Sequence, residues 1–288
     1  MCRFIGYIGR KILLADLILR PQNSLIRQSY KARERSEPLN GDGFGIGWYA
    51  PEKTLEPCVF TSITPAWSNR NLSNLAEHIE SGCFFSHVRA ASPGMLVSEV
   101  NCHPFRFGRF LWMHNGTIEG FRPLKRRLRQ LLPDELYHAV EGTTDSEHAF
   151  MLFLHLLGYD REKKCASDLA GGLVKTIRQL EEWAREAEIS QPSIYNFAVT
   201  DGQNIATVRY VSDPKIEPIS LYFSKRGKYQ CGGGKTEIID CCPDEESGII
   251  IASEKLTDRR EDWIRVAPNH ILTVGSNLKT KVQLISDF

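Results

Sequence analysis

Short strand-like segments crowd both ends of this 288-residue sequence while helical periodicities fill its middle, and that ordering restricts the fold more than any motif does. Toward the N-terminal end, Phe4 to Ile8 is an apolar run closed by Gly9, which reads as a strand with Cys2 at the lip of its sheet. The turn signal Asn40-Gly41-Asp42-Gly43 precedes an alternation of Phe44, Ile46 and Trp48, for which Cys58 to Ile63 is an antiparallel partner. Cys83 to Ala90 and Phe110 to Met113 continue the series. Beyond Gln191-Pro192, strands are expected at Tyr195 to Val199, Ile205 to Tyr210, Leu221 to Phe223, Ile249 to Ala252, Ile271 to Val274 and Val282 to Ile285, with a turn at Asp201-Gly202.

The helical segments have their own punctuation. Ile12 to Arg35 reads as helix broken near Pro21, with Asn23 or Ser24 as a cap. Leu72, Leu75, Ala76 and Ile79 predict an amphipathic helix over Asn71 to Ser81, stopped by Gly82. Leu124, Leu128, Leu131 and Leu132 mark a basic helix, and Thr144-Asp145-Ser146-Glu147 has capping-box spacing ahead of Phe150, Phe153, Leu154 and Leu157. Asp168 to Glu188 carries Leu169, Leu173, Ile177, Leu180 and Trp183 on one face. With no repeat or low-complexity linker, the order argues for one α+β domain over residues 1–288 with mainly antiparallel sheets, not a βαβ series.

Charge narrows the choice of partner. The 36 Lys and Arg against 35 Asp and Glu leave a formal net charge of +1, so the overall field favours neither nucleic acid nor a membrane surface, and a small-molecule substrate is expected. The basic helix around Arg122 to Arg129 lacks interleaved aromatics and reads as a solvated face. The N-terminus has no secretory pattern and no apolar run is long enough to span a bilayer. Eight scattered cysteines without a CxxC pair match neither a zinc site nor a disulfide scaffold, which fits reduced thiols in the cytoplasm and no bound metal.

Six places can carry chemistry, each with a plainer reading beside it. If Met1 is removed, Cys2 holds both a thiol and an α-amine able to act as a base near neutral pH; otherwise it is a small residue at a strand start. Arg3 either favours the thiolate or points at solvent. In His114-Asn115-Gly116, an amide side chain and a sterically free backbone N–H can face a developing oxyanion, although Asn-Gly is also the commonest hairpin turn. Arg89 ends an aromatic strand, where it can hold a carboxylate bidentately or pair with a surface acid. Asp145 can accept from a substrate ammonium or simply stabilise a helix N-terminus. His103, held before Pro104, suggests a Cys–His dyad with Cys2 or Cys102, or a structural histidine.

Taken in order, Met1-Cys2-Arg3-Phe4, Asp42-Gly43-Phe44-Gly45, Ser86-His87-Val88-Arg89, Asn101-Cys102-His103-Pro104-Phe105, His114-Asn115-Gly116 and Thr144-Asp145-Ser146-Glu147 resemble the class II glutamine amidotransferase family of N-terminal nucleophile hydrolases. Within that family they look like the short stand-alone members of the ergothioneine-pathway and glutathione-degrading type. The resemblance covers roughly the first 160 residues, with Ala252-Ser253-Glu254 similar to the C-terminal strand region of the small members.

The resemblance implies a four-layer αββα sandwich and an enzyme that needs no cofactor. Cys2, exposed by removal of Met1, would attack a γ-glutamyl carbonyl through a thioester while its amine moves the proton. Asn115 and Gly116 would form the oxyanion hole, Arg89 would bind the substrate α-carboxylate and Asp145 its α-ammonium, with His103 as an auxiliary. Where larger members carry Arg-Trp-Ala-Thr-His, this sequence has Arg89-Ala90-Ala91-Ser92-Pro93, and no synthase domain follows. The resemblance therefore implies simple hydrolysis of a γ-glutamyl amide or a separate synthase or peptidase subunit as partner; the competing expectation is a catalytically idle glutamine-binding subunit that regulates a synthase.

Overall fold

A computed structural model of the chain describes residues 2–34, 39–91, 96–159, 164–232, 235–239 and 247–288. Strand β1 (Arg3–Leu13) is apolar on both faces because both are covered: Phe4 and Ile8 point into one core and Ile5 and Tyr7 into another. After it, the segment expected to be a broken helix folds as α1 (Ala15–Ile18) and α2 (Leu25–Lys31), the latter capped by Ser24, whose hydroxyl accepts from the Arg27 N–H at 3.3 Å. Arg35, at the end of that expected helix, lies outside the described residues. Strands β2 (Phe44–Ala50) and β3 (Thr54–Ser62) form the expected antiparallel pair.

The next helix, α3 (Arg70–Ala76), is shorter than the predicted 71–81 span. Asn69 caps it, and β4 (Glu80–Val88) already begins at residue 80, so Gly82 lies within a strand and stops nothing. Strand β5 (Phe105–Phe107) leads into β6 (Phe110–Thr117), where Phe110 and Trp112 face helices and Leu111 and Met113 face the other sheet. Helices α4 (Phe121–Leu131), α5 (Asp134–His138), α6 (Asp145–Leu157) and α7 (Ala166–Glu186) follow. Helix α6 is apolar nearly all round and sits under α7; at Gly172 a Cβ would meet the Phe153 ring at 2.8 Å, so the glycine permits that close crossing. The capping box is half made: the Thr144 hydroxyl accepts from Glu147 N–H at 3.1 Å, whereas the Glu147 carboxylate turns to the N–H groups of Glu141 and Gly142.

The remaining strands are β7 (Ile194–Thr200), β8 (Ile205–Val211), β9 (Tyr222–Ser224), β10 (Lys228–Gly232), β11 (Lys235–Ile239), β12 (Gly248–Ala252), β13 (Trp263–Arg265), β14 (His270–Val274) and β15 (Thr280–Leu284). Among the described residues they build a seven-stranded sheet, β13-β9-β12-β1-β4-β2-β3, and a six-stranded sheet, β15-β14-β8-β7-β6-β5, with every ladder antiparallel, beside the β10–β11 hairpin.

Three cores follow from this order. Phe4, Phe85, Leu111, Met113, Ile251 and Leu272 fill the space between the sheets. Helices α1 to α3 cover the outer face of the first sheet through Leu17, Leu25 and Leu72, and α4 to α7 cover that of the second. The result is an α+β fold of four layers, αββα. On the second outer face Trp112 is fully buried, with ring centroids 4.7 Å from Phe197 and 5.3 Å from Phe153; truncating such a residue costs about 3–5 kcal/mol. The cations of α4 turn outward as expected, and several are engaged within the molecule: Arg127 pairs with Glu186 and lies over Trp183, and Arg129 lies over Tyr137. No described helix is long and apolar enough to cross a membrane.

Candidate active site

Cys2 stands immediately before β1, half-buried at the strand end. Because β1 pairs with β4 in the register Arg3↔Val88, the thiol faces the chain just past β4: Ala90 N–H donates to Sγ at 3.4 Å, and Sγ lies 3.6 Å from Ala90 O. Burial pushes the thiol above its ordinary pKa, against the Ala90 N–H and the charges of Arg89 and Arg3, which pull it down. Burial therefore favours the neutral thiol over the thiolate.

Arg3 does not point at solvent. It is fully buried, its Nε 2.7 Å from Glu254 Oε1 and its Nη1 donating to Cys2 O at 2.9 Å. Glu254, equally buried, also accepts from the backbone N–H groups of Arg33 at 2.9 Å and Glu34 at 3.1 Å.

Arg89 is 4% exposed, and among the described residues its guanidinium makes hydrogen bonds only to main-chain carbonyls, Asp42 O at 3.4 Å and Leu96 O at 3.3 Å. No described carboxylate pairs with it. A buried cation without an anionic partner is costly unless a ligand supplies one. Its main chain is fixed against the 42–43 turn, Arg89 N–H to Gly43 O at 2.8 Å, and the Asp42 carboxylate accepts from Ala91 N–H at 2.8 Å. Gly43 has φ +115° and a Cβ there would lie 2.7 Å from Cys102 Sγ, so only glycine suits this corner. Ser92 and Pro93, where the sequence departs from larger family members, lie outside the described residues.

His114-Asn115-Gly116 is not a turn. All three lie inside β6, with Asn115 opposite Asn196 and Gly116 opposite Tyr195 on β7, because flanking helix and sheet bury this stretch and pairing overrides the local turn preference. Asn115 is fully buried, its Nδ2 3.5 Å from Ser253 Oγ; the same hydroxyl oxygen accepts from Phe4 N–H at 3.0 Å. Through Ser253 the oxyanion candidate and the nucleophile strand share one atom. At Gly116 a Cβ would fall 1.9 Å from Ile194 O, so glycine is required by the close approach of β7.

Asp145 begins α6, partly buried, with Oδ2 accepting from Ile118 N–H at 2.9 Å and Oδ1 from Ser146 N–H at 2.8 Å. These bonds tie the end of β6 to the start of α6 and place a carboxylate at a helix N-terminus. His114 Nδ1 lies 2.8 Å from Ser146 Oγ; burial lowers its pKa, and Asp145 works in the other direction.

His103 has no hydrogen-bond partner at either ring nitrogen among the described residues, so it makes no bond to a thiol. Its ring lies tilted against His87 at 4.2 Å and meets Phe105 edge-on at 4.6 Å, with burial holding its pKa well below the ordinary value. The structure thus gathers Cys2, Arg89 and Asn115 around the end of β1, sets Asp145 against Ile118 just past the end of β6 that carries Asn115 and Gly116, and puts His103 in an aromatic cluster. A cavity of about 590 Å³ lined by Ile8, Lys11, Tyr49 and Arg109 lies along the other end of β1 and includes none of these residues. Among the described residues no cluster of three or more His, Cys, Asp or Glu is arranged to hold a metal ion. Ser253 and Glu254 were visible in the sequence only as part of a resembling tripeptide, and Asp42 only as a turn residue; long-range pairing gives them their contacts.

Comparisons agree with this geometry. Over 98% of both chains the structure superposes on a glutamine aminotransferase class-II domain protein from Silicibacter pomeroyi, with a TM-score of 0.67 and 28% identity. A "Probable glutamine amidotransferase DUG3" of Saccharomyces cerevisiae is 40% identical over 95% of this chain and 82% of the yeast protein. A "Gamma-glutamyl-hercynylcysteine sulfoxide hydrolase" of Mycolicibacterium smegmatis is 33% identical over 51% of this chain, which spans 59% of that protein. Residues 22–283 match the family described as "Glutamine amidotransferases class-II", and the chain belongs to that family.

Proposed function

We propose that this enzyme hydrolyses the γ-amide bond of glutamine or of a γ-glutamyl compound, with Cys2 as an N-terminal nucleophile once Met1 is removed, and that residues 1–288 act as a single cytoplasmic domain. The observation that carries the reading is the buried Arg89, free of any described acid, beside the Cys2 thiol. Arg89 takes the α-carboxylate of the glutamyl group and Asp145 its α-ammonium, which fixes the γ-carbonyl over the sulfur. The α-amine of Cys2, with a reference pKa of about 7.7–8.0, accepts the thiol proton as Sγ bonds to the carbonyl carbon. Asn115 Nδ2 and the Gly116 N–H receive the charge that develops on oxygen. The C–N bond then breaks, the amine leaves with the proton, and water cleaves the thioester to glutamate.

We give His103 no part in these steps, since among the described residues neither of its ring nitrogens makes a hydrogen bond. Cys2→Ala is expected to abolish glutamate release from a panel of glutamine, glutathione and γ-glutamyl amines, while His103→Ala weakens it far less. Unchanged turnover in Cys2→Ala would overturn the assignment, and mass spectrometry showing an intact Met1 on active protein would remove the amine as base.

A further inference from the structure

The dipeptide Ser253-Glu254, just beyond β12, touches both halves of the site through contacts the reaction scheme leaves unused. Ser253 N–H donates to Phe4 O at 3.1 Å and Ser253 Oγ accepts from Phe4 N–H at 3.0 Å, so this residue extends the β1–β12 ladder toward Cys2. The same Oγ lies 3.5 Å from Asn115 Nδ2, while Asn115 Oδ1 is buried without a partner among the described residues. A half-turn of the Asn115 amide leaves its shape unchanged, gives the Ser253 hydroxyl an acceptor and leaves a donor free for a ligand. Oδ1 then faces the Ser253 hydroxyl and accepts its proton, and the NH2 group occupies the unpartnered position. The chain becomes Phe4 N–H to Ser253 Oγ, Ser253 O–H to Asn115 Oδ1, and Asn115 N–H to the developing oxyanion.

Glu254 serves the other half. A residue at a strand end frays unless it is tied down, and Arg3 Nη1 is what holds the Cys2 carbonyl, at 2.9 Å. Arg3 is itself held by Glu254 at 2.7 Å, with both side chains fully buried, and Glu254 is fixed in turn by the N–H groups of Arg33 and Glu34. Such a pair adds little stability of its own, because desolvation offsets its attraction; its benefit is geometric.

We propose that Ser253 and Glu254 are positioning residues, Ser253 aiming the Asn115 amide at the oxyanion and Glu254 holding the Cys2 main chain through Arg3. The proposal rests on Cys2 as nucleophile and Asn115 as oxyanion donor. Displacements near 1 Å at a reacting centre cost about a hundredfold in rate, so the effects fall on kcat.

The test uses the full chain with Met1 removed and reads two quantities: steady-state glutamate release, and the pH profile of Cys2 alkylation by iodoacetamide followed by mass spectrometry. The charged groups that act on the Cys2 thiol are the chain-terminal amine, which becomes its own once Met1 is removed, Arg89 past β4 and Arg3 from its own strand, and Cys102 interacts with it in turn. Ser253→Ala is expected to lower kcat about ten- to hundredfold with KM unchanged, and Ser253→Thr, which keeps the hydroxyl, to restore most of it. Glu254→Gln leaves the Arg3 charge unopposed, so the alkylation profile moves to lower pH as kcat falls. Arg3→Lys keeps the charge but loses the fork that reaches both partners, so kcat falls with the profile in place.

Should Glu254→Gln fail to fold, Arg3→Met/Glu254→Gln leaves no unpaired buried ion and is expected to show the same loss of kcat. Folded variants with wild-type kcat and an unmoved profile would overturn the proposal. If Cys2→Ala itself kept activity, the nucleophile assignment would fail instead, so the two failures are distinguishable.

Discussion

Gly116→Ala offers a sharp test of the oxyanion geometry. The added Cβ would sit 1.9 Å from Ile194 O and 2.6 Å from His114 Nε2. Ordinary contact begins near 3.4 Å, so β6 and β7 must part by about 1.5 Å, and the obstacle is a ladder carbonyl that no rotamer change can move. Neighbouring hydrogen bonds of about 2.9 Å would stretch past their useful range. Losing one or two at about 1 kcal/mol each puts the destabilisation at about 1–3 kcal/mol, the usual range for overpacking. The rate effect is larger, because displacing one oxyanion donor costs about 10²–10³ in kcat.

The matched control is Gly9→Ala. Its Cβ would lie 2.4 Å from Gly248 Cα and 2.6 Å from Ser247 O, a similar insult to a ladder on the same strand as Cys2 but about 23 Å along it. Urea unfolding should report similar losses for both variants, while kcat falls only in Gly116→Ala. If the two lose kcat alike, or if Gly116→Ala keeps it, the Gly116 N–H is not an oxyanion donor.

Two further outcomes follow from buried charge. Arg89→Lys keeps the positive charge but not the bidentate fork, so KM for glutamine should rise about ten- to a hundredfold with a smaller change in kcat, and a shift below about threefold would place the carboxylate clamp elsewhere. His87 is buried and neutral with its pKa lowered to about 3 by desolvation, against 6.5 in the unfolded chain. The unfolded state therefore binds the proton first as pH falls. The stability associated with this group is complete above pH 6.5 and is lost toward pH 3 at about 1.4 kcal/mol per unit. His87→Phe should make the pH dependence of the urea midpoint between these limits shallower by one proton's share, His103, His114 and His148 keeping theirs, and an unchanged slope would refute the neutral, buried assignment.

Much of the architecture could be read from periodicity because the strands are covered on both faces and so appear as short apolar runs. The αββα layering came instead from resemblance, and the packing of three separate cores bears it out. Local signals failed where tertiary pairing outweighed them. Asn115-Gly116 carries a strong turn signal yet lies in a strand clamped by β7, and the 71–81 periodicity runs past Ala76 because Ile79 packs on the same core from a loop. The β10–β11 hairpin and β13 went unread; Trp263–Arg265 is three residues long, too short to show alternation. Within the site, residue types could be read but their supports could not: Arg3 and Glu254 are 251 positions apart, and neither residue alone announces a partner.

The central place of β1 also sets a timetable for the protein's birth. On one side β1 pairs with β4, but on the other it pairs with β12, and Arg3 meets Glu254 only after some 251 further residues have been synthesised. At roughly 5–20 residues per second that is a wait of about 12–50 s. A nascent chain that already contains Cys2, Arg89, Asn115 and Asp145 still lacks the strand that braces its first residues. On the proposed reading competence waits until β12 has been made, and a ribosome stalled before residue 248 would display every proposed site residue without its brace.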